Sequence, residues 1–251
     1  MIKEITSVNN SYIKEILTLK EKQVRIQKQL FIVEGYHLVE EALKHKVLKA
    51  VLCSDINYLN QIAAEEKYLV TDVVIKKISS TKNPQNVIGI VKSITNADLN
   101  HIIEKEKLRL IILDNVNDPG NLGTIIRTAA ALGVEAVISS EETVDYYNDK
   151  VLRATQGAIF KVPLFKGNLK EFIKLLKEKQ VLIYGTSLKN ALKVNEVSKS
   201  CKLGIIVGNE AQGVSDDILA LTDKNIILPM ENDVESLNVS IAAALLMWEL
   251  R

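Results

Sequence analysis

The chain has 251 residues, 47% of them hydrophobic, and its 32 Lys and Arg nearly balance 31 Asp and Glu for a formal net charge of +1. This is enough apolar material for one large domain or two modest ones, and it reads as a soluble, globular protein. The longest apolar run, Ile241 to Trp248, falls far short of the ~20 residues of a membrane-spanning helix. The first twenty residues alternate apolar with Lys, Glu and Asn and form no signal-peptide core, so a cytoplasmic setting is expected. Cys53 and Cys201 are too few for a disulfide framework, belong to no CxxC pair and share no metal-ligand spacing with His37, His45 or His101. Both are expected to be reduced thiols in or near the core, and no metal site is expected. Charge is uneven: residues 1–100 carry 14 Lys and Arg against 11 Asp and Glu, and the remainder 18 against 20. That asymmetry permits nucleic-acid binding.

In chain order, residues 11–29 (SYIKEILTLKEKQVRIQKQ) show a helical pattern rich in Lys and Glu, followed by a strand, LFIVEG, and a helix, HLVEEALKH. VLKAVLCS reads as a strand, INYLNQIAAEEK as a helix and NVIGIVKSI as another strand. Together they make a small α/β unit over residues 1–100. The polar stretch 96–107 (NADLNHIIEKEK) suits a short linker or a solvated helical connector.

From residue 107 onward strands and helices alternate strongly. LRLIILDNV is a continuous apolar strand of the kind buried on both faces, then NDPG forms a loop and NLGTIIRTAAALG has helical period. VEAVIS, VLIYGTS, LGIIVGNE and NIILPM read as further buried strands, with helices near residues 150–160, 169–179 and 214–222. The alternation predicts a mostly parallel sheet covered on both sides. In the last stretch, SLNVSIAAALLMWELR, Ser236 is placed to cap a helix too apolar for a lone surface helix.

In open parallel α/β sheets, ligands bind beyond the carboxyl ends of the strands. Residues 117–133 (NDPGNLGTIIRTAAALG) follow one strand, with Pro119 and Gly120 shaping a tight turn, Asn121 able to cap the next helix and Arg127 nearly two turns into it. Residues 208–213 (GNEAQG) follow another, their glycines allowing close backbone approach and Glu210 supplying a carboxylate. Residues 228–240 (LPMENDVESLNVS) end a third strand and start a helix bearing Ser236, Asn238 and Ser240. Each segment alone also has a bland account: glycines that end strands, Asn121 and Ser236 as caps, Arg127 as an ordinary surface charge. Their coincidence is harder to dismiss. No GxGxxG follows a strand and no GxxxxGK[ST] is present, which counts against dinucleotide and P-loop sites.

NLGTIIRTAAALG, GNEAQGV and LPMENDVESLNVSIAAALLMWE, in that order, resemble the three motifs of the SpoU (TrmH) class of SPOUT RNA methyltransferases. The likeness spans residues 108–251, and RATQGAIFKVP resembles the stretch these enzymes carry between the first two motifs. SVNNSYIKEILTL and FIVEGYHLVEEAL resemble the L30e-like substrate-binding domain of the ribosomal-RNA branch. The resemblance implies an L30e-like α/β domain over 1–100 and a methyltransferase domain over 107–251, whose parallel sheet ends in a trefoil knot. It implies S-adenosylmethionine bound by loops near Thr186, Gly208, Ile227, Met230 and Leu237, and a homodimer packed through the knot helices.

The same resemblance implies transfer of a methyl group to a ribose 2′-hydroxyl, with Arg127 near the attacking hydroxyl and its phosphate and Asn121, Glu210, Ser236 and Asn238 around it. Arginine stays protonated, with a pKa of about 12 or higher. A phosphate clamp that stabilises the developing alkoxide is therefore the preferred role for Arg127, with base catalysis second. For Glu210 the structural role, accepting backbone N–H bonds, is preferred over direct chemistry. Trp248 reads as a knot-helix or dimer anchor, and Lys14, Lys20, Lys22, Arg25 and Lys28 read equally as a solvated helix face or as phosphate contacts. The L30e-like front domain favours 23S ribosomal RNA as substrate. A transfer-RNA substrate, a base-methylating SPOUT enzyme and a non-catalytic RNA-binding protein of the same fold stand as alternatives. A Rossmann oxidoreductase is the weakest.

Overall fold

A computed structural model describes residues 1–94, 97–232 and 235–251, within which the chain forms two compact units. The first unit is residues 1–94 together with Tyr147–Phe160, and the second is the remainder. Thr95 and Asn96, at the start of the expected connector, and Asp233 and Val234 of the third segment lie outside the described residues.

The first unit opens with β1 (Ile2–Ile5), α1 (Ser11–Thr18), α2 (Lys22–Lys28), β2 (Leu30–Glu34), α3 (Tyr36–Lys44), β3 (Leu48–Cys53), α4 (Ile56–Gln61), β4 (Glu66–Val70), α5 (Asp72–Ile78) and β5 (Val87–Lys92). Its sheet runs β1-β4-β3-β5-β2, with β1, β4 and β3 parallel and β5 antiparallel to both β3 and β2. Alternating side chains split the sheet into two faces. Ala50, Leu52, Tyr68, Val70, Ile88 and Ile90 bury one face under Ile13 and Ile16 of α1 and Val74, Ile75 and Ile78 of α5, with Val24 of α2 packed against them. The opposite face meets α3 and α4.

The single helix expected over residues 11–29 is two helices. The break falls where Arg25, which is buried, turns its guanidinium back so that Nη1 donates to the carbonyls of Leu19 (2.9 Å) and Lys20 (2.7 Å). Those are carbonyls that an ended helix leaves without intrahelical donors. The helix expected over residues 56–67 stops at Gln61, because Glu66–Val70 pairs as a strand between β1 and β3. There ladder pairing and burial override the helical composition of AAEEK.

The second unit begins at α6 (Leu99–Ile103), β6 (Leu108–Leu113), α7 (Pro119–Ala131) and β7 (Ala136–Ser139). The chain then contributes α8 (Asp149–Thr155) to the first unit, where Tyr147 stacks on Phe31 with ring centroids 4.3 Å apart. The second unit resumes with β8 (Leu164–Lys166), α9 (Leu169–Glu178), β9 (Leu182–Thr186), β10 (Leu192–Lys193), β11 (Lys202–Val207), α10 (Asp216–Leu219), β12 (Lys224–Ile227) and α11 (Val239–Glu249). All seven strands are parallel, in the order β10-β12-β9-β11-β6-β7-β8. This is the parallel sheet the alternation predicts, and its central strands are the continuous apolar runs.

Far from being solvated, α6 buries Leu99, Ile102 and Ile103 in the second unit's core. The three share one helix face at spacings of three and four. Cys53 is buried as expected but Cys201 is exposed, just ahead of β11. Among the described residues no helix is long and apolar enough to cross a membrane.

Candidate active site

Because the second sheet is all parallel, every strand releases its chain at the same rim. Registers place Thr186, the last residue of β9, level with Ile226 of β12, and Gly185 level with Ile206 of β11. Thr186, Gly208 and Ile227 therefore sit within about one residue of a common level at three neighbouring strand ends.

The first predicted segment starts α7, though with a different cap. Asp118 is the N-cap: its Oδ1 accepts the N–H of Asn121 at 2.8 Å, and Pro119 occupies the first helical position. Pro119 and Gly120 thus open the helix and do not form a separate turn. Asp followed by Pro is a legible start signal, since proline's missing N–H costs nothing there. Asn121 is thereby freed to spend its side chain elsewhere. At α11 the cap is Asn238, whose Oδ1 accepts from the N–H of Ser240 (2.9 Å) and Ile241 (3.4 Å) and from the Ser240 hydroxyl (2.6 Å). Ser236, the expected cap, is exposed and makes no hydrogen bond among the described residues.

The loop after β11 is held by its own backbone. Asn209 and Gly213 exchange N–H···O bonds of 3.0 and 2.9 Å, the Asn209 side chain accepts from Ala211 and Gln212, and its Nδ2 donates to the Asn115 carbonyl at 2.9 Å. The loop closes so tightly that a Cβ on Gly208 would lie 2.0 Å from the Gly213 carbonyl carbon and 2.1 Å from the Val214 nitrogen. No side chain fits there.

These elements bring three sequence-distant residues together. Glu210 Oε1 accepts from Asn121 Nδ2 (3.0 Å) and the Asp118 N–H (3.0 Å), while Oε2 accepts the Asn117 N–H (3.2 Å). Asn121 Oδ1 in turn accepts from Asn238 Nδ2 at 2.9 Å. Partial burial opposes ionisation of Glu210, but the donors from Asn121 and from the backbone at 210, 118 and 117 outweigh it and hold the carboxyl below the usual carboxylate range. It is an anion whose oxygens are occupied, suited to positioning and not to taking a proton.

Arg127 stands on α7 beyond this network, exposed, with no hydrogen bond or ion pair among the described residues. Six residues at about 1.5 Å each put it roughly 9 Å along the helix from Asn121. Its fork is available to a ligand. Asn117, Asp118 and Asn209 also belong to the network, and the sequence reading passed over them as candidates. Asn209 carried a signal, because asparagine commonly ties its own turn through its side chain.

Of the remaining candidates, Ile227 and Met230 are half-buried and Leu237 is 38% exposed. They are apolar side chains near polar strand ends that the core has not fully claimed. That combination suits a nucleoside ring with a polar tail, as S-adenosylmethionine has. A cleft of about 180 Å³ in the first unit and one of about 330 Å³ beside Asp114 and Asn168 are lined by other residues. No group of three or more His, Cys, Asp or Glu among the described residues is placed to hold a metal.

Residues 108–248 match the SpoU rRNA Methylase family, and residues 10–89 match the MRM3-like substrate binding domain. The chain is 36% identical to a 23S rRNA (guanosine(2553)-2′-O)-methyltransferase, RlmP, of Bacillus subtilis over the whole of both chains. It is 31% identical to an uncharacterized tRNA/rRNA methyltransferase of Synechocystis, covering all of this chain and 94% of that one. Among solved structures it is similar to an AdoMet-bound rRNA methyltransferase from Sinorhizobium meliloti, with a TM-score of 0.90, 30% identity and coverage of 100% of this chain and 97% of that one.

Proposed function

The chain belongs to the SpoU rRNA methylase family, and from that premise we propose that it methylates a ribose 2′-hydroxyl of 23S ribosomal RNA with S-adenosylmethionine, as a cytoplasmic homodimer. The observation that carries the site assignment is the hydrogen-bonded chain Asn238–Asn121–Glu210, which joins three sequence-distant segments at the start of the helix that bears Arg127.

S-adenosylmethionine supplies a methyl carbon made electrophilic by its sulfonium. When bound, the cofactor would offer that methyl to the ribose oxygen in line with its sulfur, which would keep the bond pair, while the hydroxyl would give up its proton to solvent. Alignment and charge stabilisation are what this chain's residues contribute. Arg127 clamps the phosphate beside the attacking hydroxyl and offsets charge developing on its oxygen. Glu210, Asn121 and Asn238 are positioning residues that fix the start of α7, and Ser236 lines the approach. Strand-end backbone at Thr186, Gly208 and Ile227, with the side chains of Met230 and Leu237, holds the cofactor within a trefoil-knotted segment. The first unit, residues 1–94 with Tyr147–Phe160, holds the RNA, and the second unit carries the chemistry, in place of the simple division at 1–100 and 107–251.

Dimerisation is supported by α11. Ile241, Leu245 and Trp248 are 50%, 45% and 53% exposed. Spaced by four and three, they form one apolar stripe. Leu245→Glu should convert the protein to a monomer in sedimentation, and an unchanged dimer would reject this face.

The activity is tested by incubating the protein with labelled S-adenosylmethionine and ribosomal RNA from a strain lacking the gene, then digesting to nucleosides. Label in a 2′-O-methylnucleoside of 23S RNA is expected. Label in a base, or cofactor binding without transfer to any RNA, would overturn the reading.

A further inference from the structure

The two helical layers of the first unit differ sharply in charge. Helices α1, α2 and α5, on one face of the sheet, carry six Lys and Arg (Lys14, Lys22, Arg25, Lys28, Lys76 and Lys77) against Glu15 and Asp72. Helices α3 and α4, on the opposite face, carry one, Lys44, against Glu40 and Glu41. Arg25 is turned inward, but the five lysines of the first group are exposed, as are Lys20 and its neighbour Glu21 in the α1–α2 turn, so the face keeps an excess of lysine.

These lysines are not balanced across the face. Lys28 reaches Glu15 at 2.7 Å, but Lys14, Lys20, Lys22, Lys76 and Lys77 have no ion pair among the described residues. They are also drawn from segments far apart in sequence. Lys20 Nζ donates to the Lys77 carbonyl at 3.4 Å, an exposed and long contact that places the α1–α2 turn next to the last turn of α5. Arg25 locks that same turn from below through the Leu19 and Lys20 carbonyls. A rigid layer that gathers like charges without partners stores repulsion that a polyanion relieves, and releases counterions when it binds one.

From this we infer that the outer face of the α1, α2 and α5 layer, centred on Lys20, Lys76 and Lys77, is the surface on which the protein seats the phosphodiester backbone of its RNA. The inference rests on the RNA reading above and adds which side of the first unit meets the substrate. Contacts of this type position the RNA and raise affinity, and carry little sequence readout. The lysines act on binding and not on the reacting atoms.

The test compares Lys20→Glu/Lys77→Glu with a matched double reversal of exposed lysines elsewhere in the first unit, Lys46→Glu/Lys150→Glu, in the full-length protein. RNA affinity is measured by filter binding to a 23S ribosomal RNA transcript across a salt series, alongside thermal unfolding and S-adenosylmethionine affinity. For the first pair, affinity should fall about tenfold or more near 0.1 M salt and the log–log salt slope should shallow by about two, at roughly 0.9 per lost phosphate contact. Unfolding and cofactor affinity should be unchanged, and RNA KM should rise without a change in kcat. The control pair should leave the slope intact. Equal slopes for the first pair and wild type, or equal losses in both pairs, would overturn the inference. Since the readout is binding, it is separable from the methylation assay: wild type that binds RNA through this face but transfers no methyl would sink the proposed activity and leave the surface standing.

Discussion

The sheet of the first unit mixes parallel and antiparallel neighbours, so its strand ends are divided between two rims, whereas every strand of the second unit delivers its chain to one rim. In the first unit Glu34 at the end of β2 accepts from the hydroxyls of Ser79 (2.8 Å) and Thr81 (2.6 Å), and Arg153 Nη1 donates to Ser80 Oγ at 2.9 Å, so that these groups close the loop before β5. In the second, loops separated by about ninety residues or more meet, as Glu210 and Asn238 both reach Asn121. Strand direction therefore decides where function collects. A parallel sheet concentrates polar groups at an edge, and a mixed sheet leaves its helical faces as the broad surface for a partner.

The glycines sharpen this contrast most. Gly208→Ala sets a methyl group against the backbone of Gly213 and Val214, which has nowhere to move, and should cost more than about 3 kcal/mol and abolish cofactor binding. Gly89→Ala, in the first unit's sheet, meets only side-chain methyls, Val33 Cγ2 at 2.8 Å and Val39 Cγ2 at 3.1 Å. These can shift, so about 1–2 kcal/mol is expected, with S-adenosylmethionine affinity intact. Urea unfolding with cofactor titration checks both, and equal losses would break the contrast.

A smaller effect is expected at Asn238, which both caps α11 and donates to Asn121. Asn238→Ala should lose about 1 kcal/mol from the cap and about tenfold in transfer rate from misplacement at the site. Asn238→Asp keeps the cap acceptor and removes the donor, so stability should return while the rate does not. Rate recovery in the Asp variant would make the residue a cap only.

The smallest effect is a pH dependence at Glu210. Its folded-state carboxyl is held below the ordinary value, so the stability it contributes is present above the unfolded value of about 4.3 and is lost as pH falls through the depressed folded value. Glu210→Gln should therefore lower stability at neutral pH, where that contribution is present, and approach wild type as pH falls below about 4.3, so that the acid limb flattens. An unaltered acid limb would remove the carboxylate from the network's energetics.

Much of the second unit was legible in the sequence because buried parallel strands are written as nearly continuous apolar runs, as in LIIL after Arg109 and LGIIV after Lys202. The first unit was harder to read for a physical reason. β1 and β4 are short, and β4 has only Tyr68 and Val70 buried, so its identity depends on pairing with β1 across more than sixty residues. The attachment of Tyr147–Phe160 to the first unit is likewise set by nonlocal packing against Phe31. At the candidate site, the grouping of Asn121, Glu210 and Asn238 is what the family resemblance implies, and the order of the parallel strands brings the three together, but the caps are displaced. Asp118 outranked Asn121 because proline fixed the helix start behind it, and Asn238 outranked Ser236 because α11 begins at Val239. Local chemistry named the right residue types, and the helix start chose among them.

The central proposal is that Arg127, exposed on α7 about two turns beyond the rim network, meets the ribose and phosphate. Its most direct test is the single-turnover rate of labelled methyl transfer to 23S ribosomal RNA by Arg127→Ala, with S-adenosylmethionine affinity and thermal unfolding measured on the same preparation. Since Arg127 is exposed and holds no internal partner among the described residues, folding and cofactor affinity should be unchanged. The rate should fall about 100- to 1000-fold, the scale of losing one charge-stabilising donor at a developing oxyanion. Transfer within about threefold of wild type would contradict the account, because no transition-state interaction would then have been lost.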